Sequence, residues 1–166
     1  MTLRLRSSAR SDVGLIRSGN EDSGYAGPRL LVVADGMGGH AAGELASATA
    51  VATLALLEQH EPAPGDVLAE MADALDATGA SIRQVIDADP ELAGMGTTVT
   101  SIYWMGERIA IVHVGDSRSY LLRGGELSQL THDHTYVQTL IDAGSITEAE
   151  AAIHPRRSII LRALDG

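Results

Sequence analysis

Acidic residues follow apolar runs at two widely separated points of the chain. Asp35 follows "LLVVA" and precedes three glycines within four positions, and Asp116 follows "IAIVHV" within "GDSR". A third segment, "RSGNEDS", carries Glu21 and Asp22 side by side, four residues after Arg17. A carboxylate at the end of a buried strand is costly to desolvate unless a positive group meets it. The three segments are therefore candidates for a cation site.

Each segment also has an interpretation without chemistry. The Asp35 segment can be a strand–turn–helix corner with Asp35 hydrogen-bonded locally. The segment "RSGNEDS" can be a solvated polar loop, and the Asp116 segment a tight hairpin that uses Gly115 and Asp116. Together they favour a site. Because the chain has no cysteine, oxygen ligands would select hard cations, Mg²⁺ or Mn²⁺. One bridging carboxylate can hold two such ions, which bind phosphate oxygens and generate a nucleophilic hydroxide from water. A nearby arginine can then grip the phosphate. This chemistry is metal-assisted hydrolysis of a phosphate ester.

Composition limits the class of protein. The chain has 166 residues, 45% hydrophobic and 20% charged, which fits a single globular domain over 1–166. The net charge of −10 argues against nucleic acid as a partner. No apolar run in the sequence approaches the length of about 18 residues that a membrane helix needs. The N-terminus shows no apolar core of a signal peptide. We expect a cytoplasmic protein; a membrane anchor after residue 166 stays open.

Hydrophobic patterning predicts strands and helices in alternating blocks. Strands are expected at 3–10, 23–26, 29–34, 97–104, 108–114, 118–123 and, as a short one, 127–130. Helices are expected at 40–59 and 65–87. The last third is more polar and helical, with a stop at Gly144 and a capping box formed by Thr147 and Glu150. Strands, helices and strands again, joined by hairpin turns, favour an α+β layered domain.

The sequence resembles the metal-dependent Ser/Thr protein phosphatases of type 2C (PPM), in particular their bacterial, actinobacterial-like members. Four segments carry the resemblance in the family's order and spacing, over essentially the whole chain: "GLIRSGNEDS", "VVADGMGGHAAGE", "GMGTTVT" and "VHVGDSRSYLLRGGELSQLTHDHTYVQTLIDAGSIT". The resemblance implies an antiparallel β-sandwich flanked by helices on both faces (αββα). It also implies hydrolysis of phosphoserine and phosphothreonine in proteins by a metal-activated water, opposing bacterial Ser/Thr kinases.

The resemblance implies a role for each acidic residue. Asp35 matches the carboxylate that bridges the two catalytic metals, Mn²⁺ or Mg²⁺, and Gly36 supplies a backbone carbonyl to one of them. Glu21 matches the acidic residue that reaches the metals directly or through water, and Asp22 supports it. Asp116 matches a ligand of a third, weaker metal.

The resemblance implies further roles around these ligands. Arg17 matches the arginine that binds the substrate phosphate, and residues 131–166 match a mobile flap beside the active site. The implied partners are phosphorylated proteins, including bacterial Ser/Thr kinases. Outside the site, we expect Thr97 and Thr98 to support the core. We expect His132, His134 and His154 to lie on the solvated flap.

The resemblance also has a departure. The family uses further aspartates from a "DG…D" segment and a final "DN" segment, both of which would follow residue 166, and Asp165 is neither of them. We therefore expect the domain to be incomplete in this chain, which spans about two-thirds of it, and these 166 residues alone to have weak or no activity. The alternative is a non-catalytic, phosphatase-like module that binds a phosphoprotein or a regulatory partner.

Overall fold

The computed structural model describes residues 3–165, apart from the side chain of His40. The fold is α+β, with antiparallel sheets and packed helices, which confirms the predicted class. The strands are β1 Asp22–Ala26, β2 Leu30–Met37, β3 Gly96–Thr97, β4 Val99–Trp104, β5 Ile109–Val114, β6 Tyr120–Arg123, β7 Glu126–Gln129 and β8 Leu164–Asp165. The helices are α1 His40–Ala55, α2 Leu57–His60, α3 Val67–Ala88, α4 Tyr136–Asp142 and α5 Glu148–Ala152, with a 3₁₀ turn at Pro90–Leu92.

Strand β2 is the centre of the six-stranded sheet. It pairs with β1 along one edge, and on the other edge its first half pairs with β4 and its end with β3. β5 extends the sheet beyond β4, and β8 extends it beyond β3. All of these pairs are antiparallel. Strands β6 and β7 form a separate hairpin.

The core lies between β2 and helix α1. Leu30, Val32 and Ala34 alternate along β2 and are buried, and Ala50 and Leu54 of α1 are fully buried in the same apolar cluster. Alanines let the helix approach the sheet closely, which suits a chain without phenylalanine. By length and composition alone the segment Ala41–His60 could also cross a membrane. Its packing onto β2 makes it a core helix here, although the sequence had suggested no apolar run of that length.

Three predicted elements differ from the structure. Residues 3–10 form no strand, because a strand needs a ladder partner and Leu3 stays exposed. The predicted helix 40–59 divides at Leu56 into α1 and α2, and the predicted strand 97–104 is interrupted at Thr98. Helix α3, the β6–β7 hairpin, the helix stop at Gly144 and the capping box at Thr147 are confirmed.

A carboxylate from α2 holds the turn that leads into β2. Glu58 accepts hydrogen bonds from the Tyr25 hydroxyl at 2.6 Å and from the backbone N–H groups of Arg29 and Leu30 at 2.6 and 2.8 Å. Although partial burial opposes ionisation, the hydrogen bonds from Tyr25, Arg29 and Leu30 outweigh it and lower the pKa of Glu58. The entry into the central strand thus depends on one ionised side chain.

Replacing Glu58 by glutamine is expected to lower the free energy of unfolding by about 1–2 kcal/mol at pH 7, because an amide group meets donors that a carboxylate accepted. Since the folded-state pKa is depressed, this contribution is present above pH 4.5 and disappears as the pH falls through the folded value. Urea unfolding at pH 7 and pH 3.5 measures it. Glu61→Gln is the matched control, since the exposed Glu61–Arg29 pair is worth less than about 0.5 kcal/mol. Equal stability of the two variants at pH 7 would contradict the role of Glu58.

Candidate active site

The site is organised around Asp35, near the end of β2. In the antiparallel register Asp22 of β1 lies directly opposite Asp35. On the other side, the pairs Gly36–Thr97 and Val33–Thr100 place Thr98 opposite Asp35. Directly opposed residues on neighbouring strands bring their side chains together. The sheet therefore delivers two carboxylates, from segments that are separated in sequence, to one point.

The surroundings of Asp35 are electrostatically unfavourable for its negative charge. Burial, the Asp22 carboxylate within hydrogen-bonding reach, and the charge of Asp116 raise the pKa of Asp35 from 3.8 to about 6. The charge of Arg17 opposes this shift. Acidic residues from two other segments and one arginine thus act on the Asp35 carboxylate. Clustered carboxylates of this kind mark functional sites more often than structural ones.

The backbone of Asp35 is fixed by two buried threonines. Thr98 donates its N–H to the Asp35 carbonyl at 2.9 Å, and its Oγ1 accepts the Asp35 N–H at 3.1 Å. The Thr97 hydroxyl donates to the same carbonyl at 3.1 Å. Thr98 Oγ1 also lies 2.8 Å from Ser117 Oγ. The threonines were expected only to support the core; they also connect Asp35 to the loop that carries Asp116.

Gly36 occupies a position where the backbone leaves no space for a side chain. A Cβ at Gly36 would overlap the carbonyl oxygen of Gly43 in α1 and would lie 2.7 Å from the carbonyl oxygen of Glu21. The Gly36 N–H donates to that Glu21 carbonyl at 3.2 Å, and the Ser47 hydroxyl donates to it at 2.7 Å. The glycine therefore brings three chain segments into backbone contact beside Asp35.

Glu21 and Asp22 are adjacent in sequence but lie in different surroundings. The Glu21 carboxylate is half-buried against Gly43, where a Cβ would overlap its Oε2 atom. Asp22, expected to be a supporting neighbour, is the residue that acts on Asp35. The alternation of side chains along β1 accounts for this, since adjacent residues point to opposite faces. The sequence could have revealed it only if the register of β1 and β2 had been known.

The other two predicted residues approach Asp35 from loops. Arg17 is exposed in the loop before β1, and Asp116 is half-buried after β5. Within the part of the chain described, residues 3–165, no three carboxylate or imidazole groups already meet at metal-ligand spacing. The charges of both Asp22 and Asp116 raise the pKa of Asp35. The Glu21 carboxylate lies elsewhere, beside α1.

The segment after β7 is more closely attached than expected. Arg118 makes a two-pronged ion pair with buried Asp133, with contacts of 2.6 to 3.0 Å. His134, predicted to be solvated, instead accepts the Gly115 N–H at its Nδ1 and stacks on His113, so that prediction was wrong. His132 is exposed and bonds to Asp142, as expected of a flap. A cleft of about 570 Å³ opens beside Asp116 and is lined in part by helices α4 and α5.

The donor set fits a hard divalent cation. Carboxylate oxygens surround Asp35, and cysteine is absent from the sequence. Burial is the main cause of the raised pKa of Asp35, and repulsion by Asp22 and Asp116 adds to it; a bound cation would offset both effects. Mg²⁺ and Mn²⁺ prefer this oxygen chemistry.

Comparison with known proteins agrees with this reading. Residues 4–139 match the family described as Protein phosphatase 2C. The chain is 57% identical over its full length to the serine/threonine protein phosphatase PstP of Mycobacterium tuberculosis, and spans 32% of that protein. It is 38% identical to the serine/threonine phosphatase Stp of Listeria welshimeri, covering 93% of this chain and 65% of that protein.

Solved structures share the fold. The crystal structure of M. tuberculosis PstP superposes with a TM-score of 0.93 at 57% identity, covering 98% of this chain and 68% of that one. A structure of the PstP catalytic domain in complex with two manganese ions gives a TM-score of 0.86 at 54% identity, covering 95% and 65%. The family match spans most of the chain and contains Arg17, Glu21, Asp22, Asp35 and Asp116. The chain belongs to the protein phosphatase 2C family.

Proposed function

We propose that the protein containing this chain hydrolyses phosphoserine and phosphothreonine in proteins, with a water activated at a binuclear Mn²⁺ or Mg²⁺ centre. The main observation in favour is the set of groups around Asp35: burial raises its pKa, Asp22 and Asp116 raise it further, and Arg17 opposes the shift. The family match and the relative crystallised with two manganese ions support the same reaction.

We assign the site residues as follows. Asp35 would hold both cations, the Gly36 carbonyl would bind one of them, and Asp116 would bind a third, weaker ion. Glu21 reaches the cations directly or through water, and Asp22 supports the cluster. The whole chain belongs to one catalytic domain, in which residues 131–166 form the flap.

The chain's own residues prepare the site for an anionic substrate. Bound divalent cations would supply a nucleophilic hydroxide and charge neutralisation at this cluster. Arg17, exposed and within electrostatic range of Asp35, binds the phosphate and orients it. Thr97 and Thr98 hold the Asp35 backbone in place, so that its carboxylate is presented from a fixed position in the sheet.

Arg17→Ala is expected to lower kcat/KM for a phosphothreonine peptide by about 10- to 100-fold, mainly through KM, because a charge-assisted phosphate contact is lost. The measurement is Mn²⁺-dependent phosphate release by the full-length protein, with EDTA as the blank. Arg10→Ala is the matched control, since Arg10 is an exposed arginine paired with Asp12. An unchanged KM in Arg17→Ala would remove this residue from phosphate binding.

The second candidate is a non-catalytic module that binds a phosphoprotein. Both candidates predict phosphopeptide binding, but only the enzyme predicts phosphate release that requires Mn²⁺ and Asp35. We favour the enzyme because Arg17, Glu21, Asp35 and Asp116 are all present. We further propose phosphorylated proteins, including bacterial Ser/Thr kinases, as partners, and a cytoplasmic location for the catalytic domain.

A further inference from the structure

The loop that carries Asp116 is held on both sides. Gly115 has φ +108°, and a Cβ there would lie 2.5 Å from the Cβ of Thr98. Ser117 is held by Thr98 through its hydroxyl at 2.8 Å and by Thr100, whose Oγ1 donates to the Ser117 carbonyl at 2.8 Å. These contacts attach one side of the loop to the central sheet.

The start of the loop is attached to the flap by His134. His134 donates its N–H to the Gly115 carbonyl at 2.8 Å, and its Nδ1 accepts the Gly115 N–H at 3.1 Å. Both polar backbone groups of Gly115, the residue before Asp116, are thus bound by His134. Loss of either bond would let the peptide group of Gly115 rotate, and this rotation would change the direction of the Asp116 side chain.

The imidazole of His134 is itself held in place. Its ring stacks on His113, with centroids 5.1 Å apart and planes at 26°. The backbone carbonyl of His134 accepts the Leu161 N–H at 2.7 Å, and the neighbouring Asp133 forms an ion pair with Arg118. The ring is therefore held with its Nδ1 facing the N–H group of Gly115.

The protonation state suits an acceptor. Burial, followed by the charges of His113, Arg162 and His132, lowers the pKa of His134, so the neutral ring predominates near pH 7. Because Nδ1 accepts a hydrogen bond, the proton of that neutral ring is on Nε2.

We infer that His134 is a positioning residue that fixes the direction of Asp116 through Gly115, and thereby sets the affinity of the cation that Asp116 binds. This inference rests on the proposed function, which makes Asp116 a ligand. Residues that orient metal ligands typically change metal affinity about 10- to 100-fold when they are replaced. His134 thus connects the flap to the metal cluster.

Two substitutions separate the hydrogen bond from the stacking. His134→Phe keeps an aromatic ring for His113 but has no acceptor, whereas His134→Asn places Oδ1 close to the position of Nδ1 but removes the ring. We expect His134→Phe to weaken the weaker class of Mn²⁺ sites about ten-fold and His134→Asn to retain most of the affinity. His132→Phe is the matched control, because His132 is exposed and its ring bonds to Asp142 rather than to the Asp116 loop.

The measurement is titration of the chain with Mn²⁺, with free Mn²⁺ counted by electron paramagnetic resonance. Deuterium exchange of the Gly115 amide is followed in parallel, and is expected to accelerate at least ten-fold in His134→Phe only. If His134→Phe unfolds, His134→Ala replaces it, since it also removes the acceptor without adding bulk.

The outcomes separate the two hypotheses. If Asp116→Asn weakens Mn²⁺ binding but His134→Phe matches wild type, the positioning role is overturned and the proposed ligand role stands. If Asp116→Asn leaves the titration unchanged, the ligand role fails and the inference fails with it. If His134→Asn loses the affinity and His134→Phe retains it, stacking rather than the hydrogen bond is responsible, which also overturns the inference.

Discussion

Replacing Asp35 by asparagine is expected to raise the free energy of unfolding of the metal-free protein at pH 8 by about 1–2 kcal/mol, and to abolish high-affinity Mn²⁺ binding. The pKa of Asp35 is raised from 3.8 to about 6. Each pKa unit corresponds to about 1.4 kcal/mol, and we reduce the total because Asp35 is only half-buried and solvent screens its charge. The charge of Asp35, which the proposed chemistry needs, thus lowers the stability of the metal-free protein.

The pH dependence gives this prediction its sign. Because the folded-state pKa is raised, the native state binds the proton more tightly than the unfolded chain does, and stability falls as the pH rises from about 4 to about 6. The advantage of Asp35→Asn should therefore be absent at pH 3.5 and complete at pH 8.

Thermal or urea unfolding in EDTA at the two pH values measures the effect. Asp73→Asn, on the exposed side of α3, should change stability by less than about 0.5 kcal/mol at both pH values. A variant Asp35→Asn that is less stable than wild type at pH 8 would mean that Asp22 and Asp116 do not repel Asp35 in the folded protein.

The second large effect concerns the backbone beside Asp35. Gly36→Ala is expected to lower the free energy of unfolding by about 3 kcal/mol or more, because the new methyl group would overlap two backbone carbonyls that cannot move independently of α1 and β1. Mn²⁺ affinity should fall in the same variant, since the Gly36 carbonyl is a proposed ligand.

The matched control is Gly65→Ala, because a Cβ at Gly65 meets nothing within 4 Å. Its stability should stay within about 0.5 kcal/mol of wild type. Denaturant unfolding of both variants is sufficient for the comparison. If Gly36→Ala were as stable as Gly65→Ala, the three-segment backbone contact at Gly36 would not exist in solution.

Patterning predicted most of the elements that position the site, for identifiable reasons. The alternation in β2 and the helical spacing in α3 are local signals, and so is the pair Thr147 and Glu150. The interruption at Thr98 was not predictable, because it depends on a tertiary contact: Thr98 faces Asp35 across the sheet. Local patterns say nothing about such a partner.

The candidate site was predicted by residue type more accurately than by arrangement. Residues from the three acidic segments do influence one carboxylate, Asp35, yet the surroundings of Glu21 and Asp22 could not be distinguished without the register of β1 against β2. His134 was misjudged for a similar reason. A histidine in the polar segment "THDHT" resembles a surface residue until Gly115 is known to lie beside it.

Carboxylates from three distant segments are proposed to form one cation-binding cluster around Asp35. Paramagnetic broadening of backbone amide signals by substoichiometric Mn²⁺ tests it most directly. We expect the signals of Asp22, Asp35 and Asp116 to broaden together, while those of Gly65 and Asp142 remain sharp. Broadening confined to one of the three segments, or spread over exposed carboxylates such as Asp73, would contradict it.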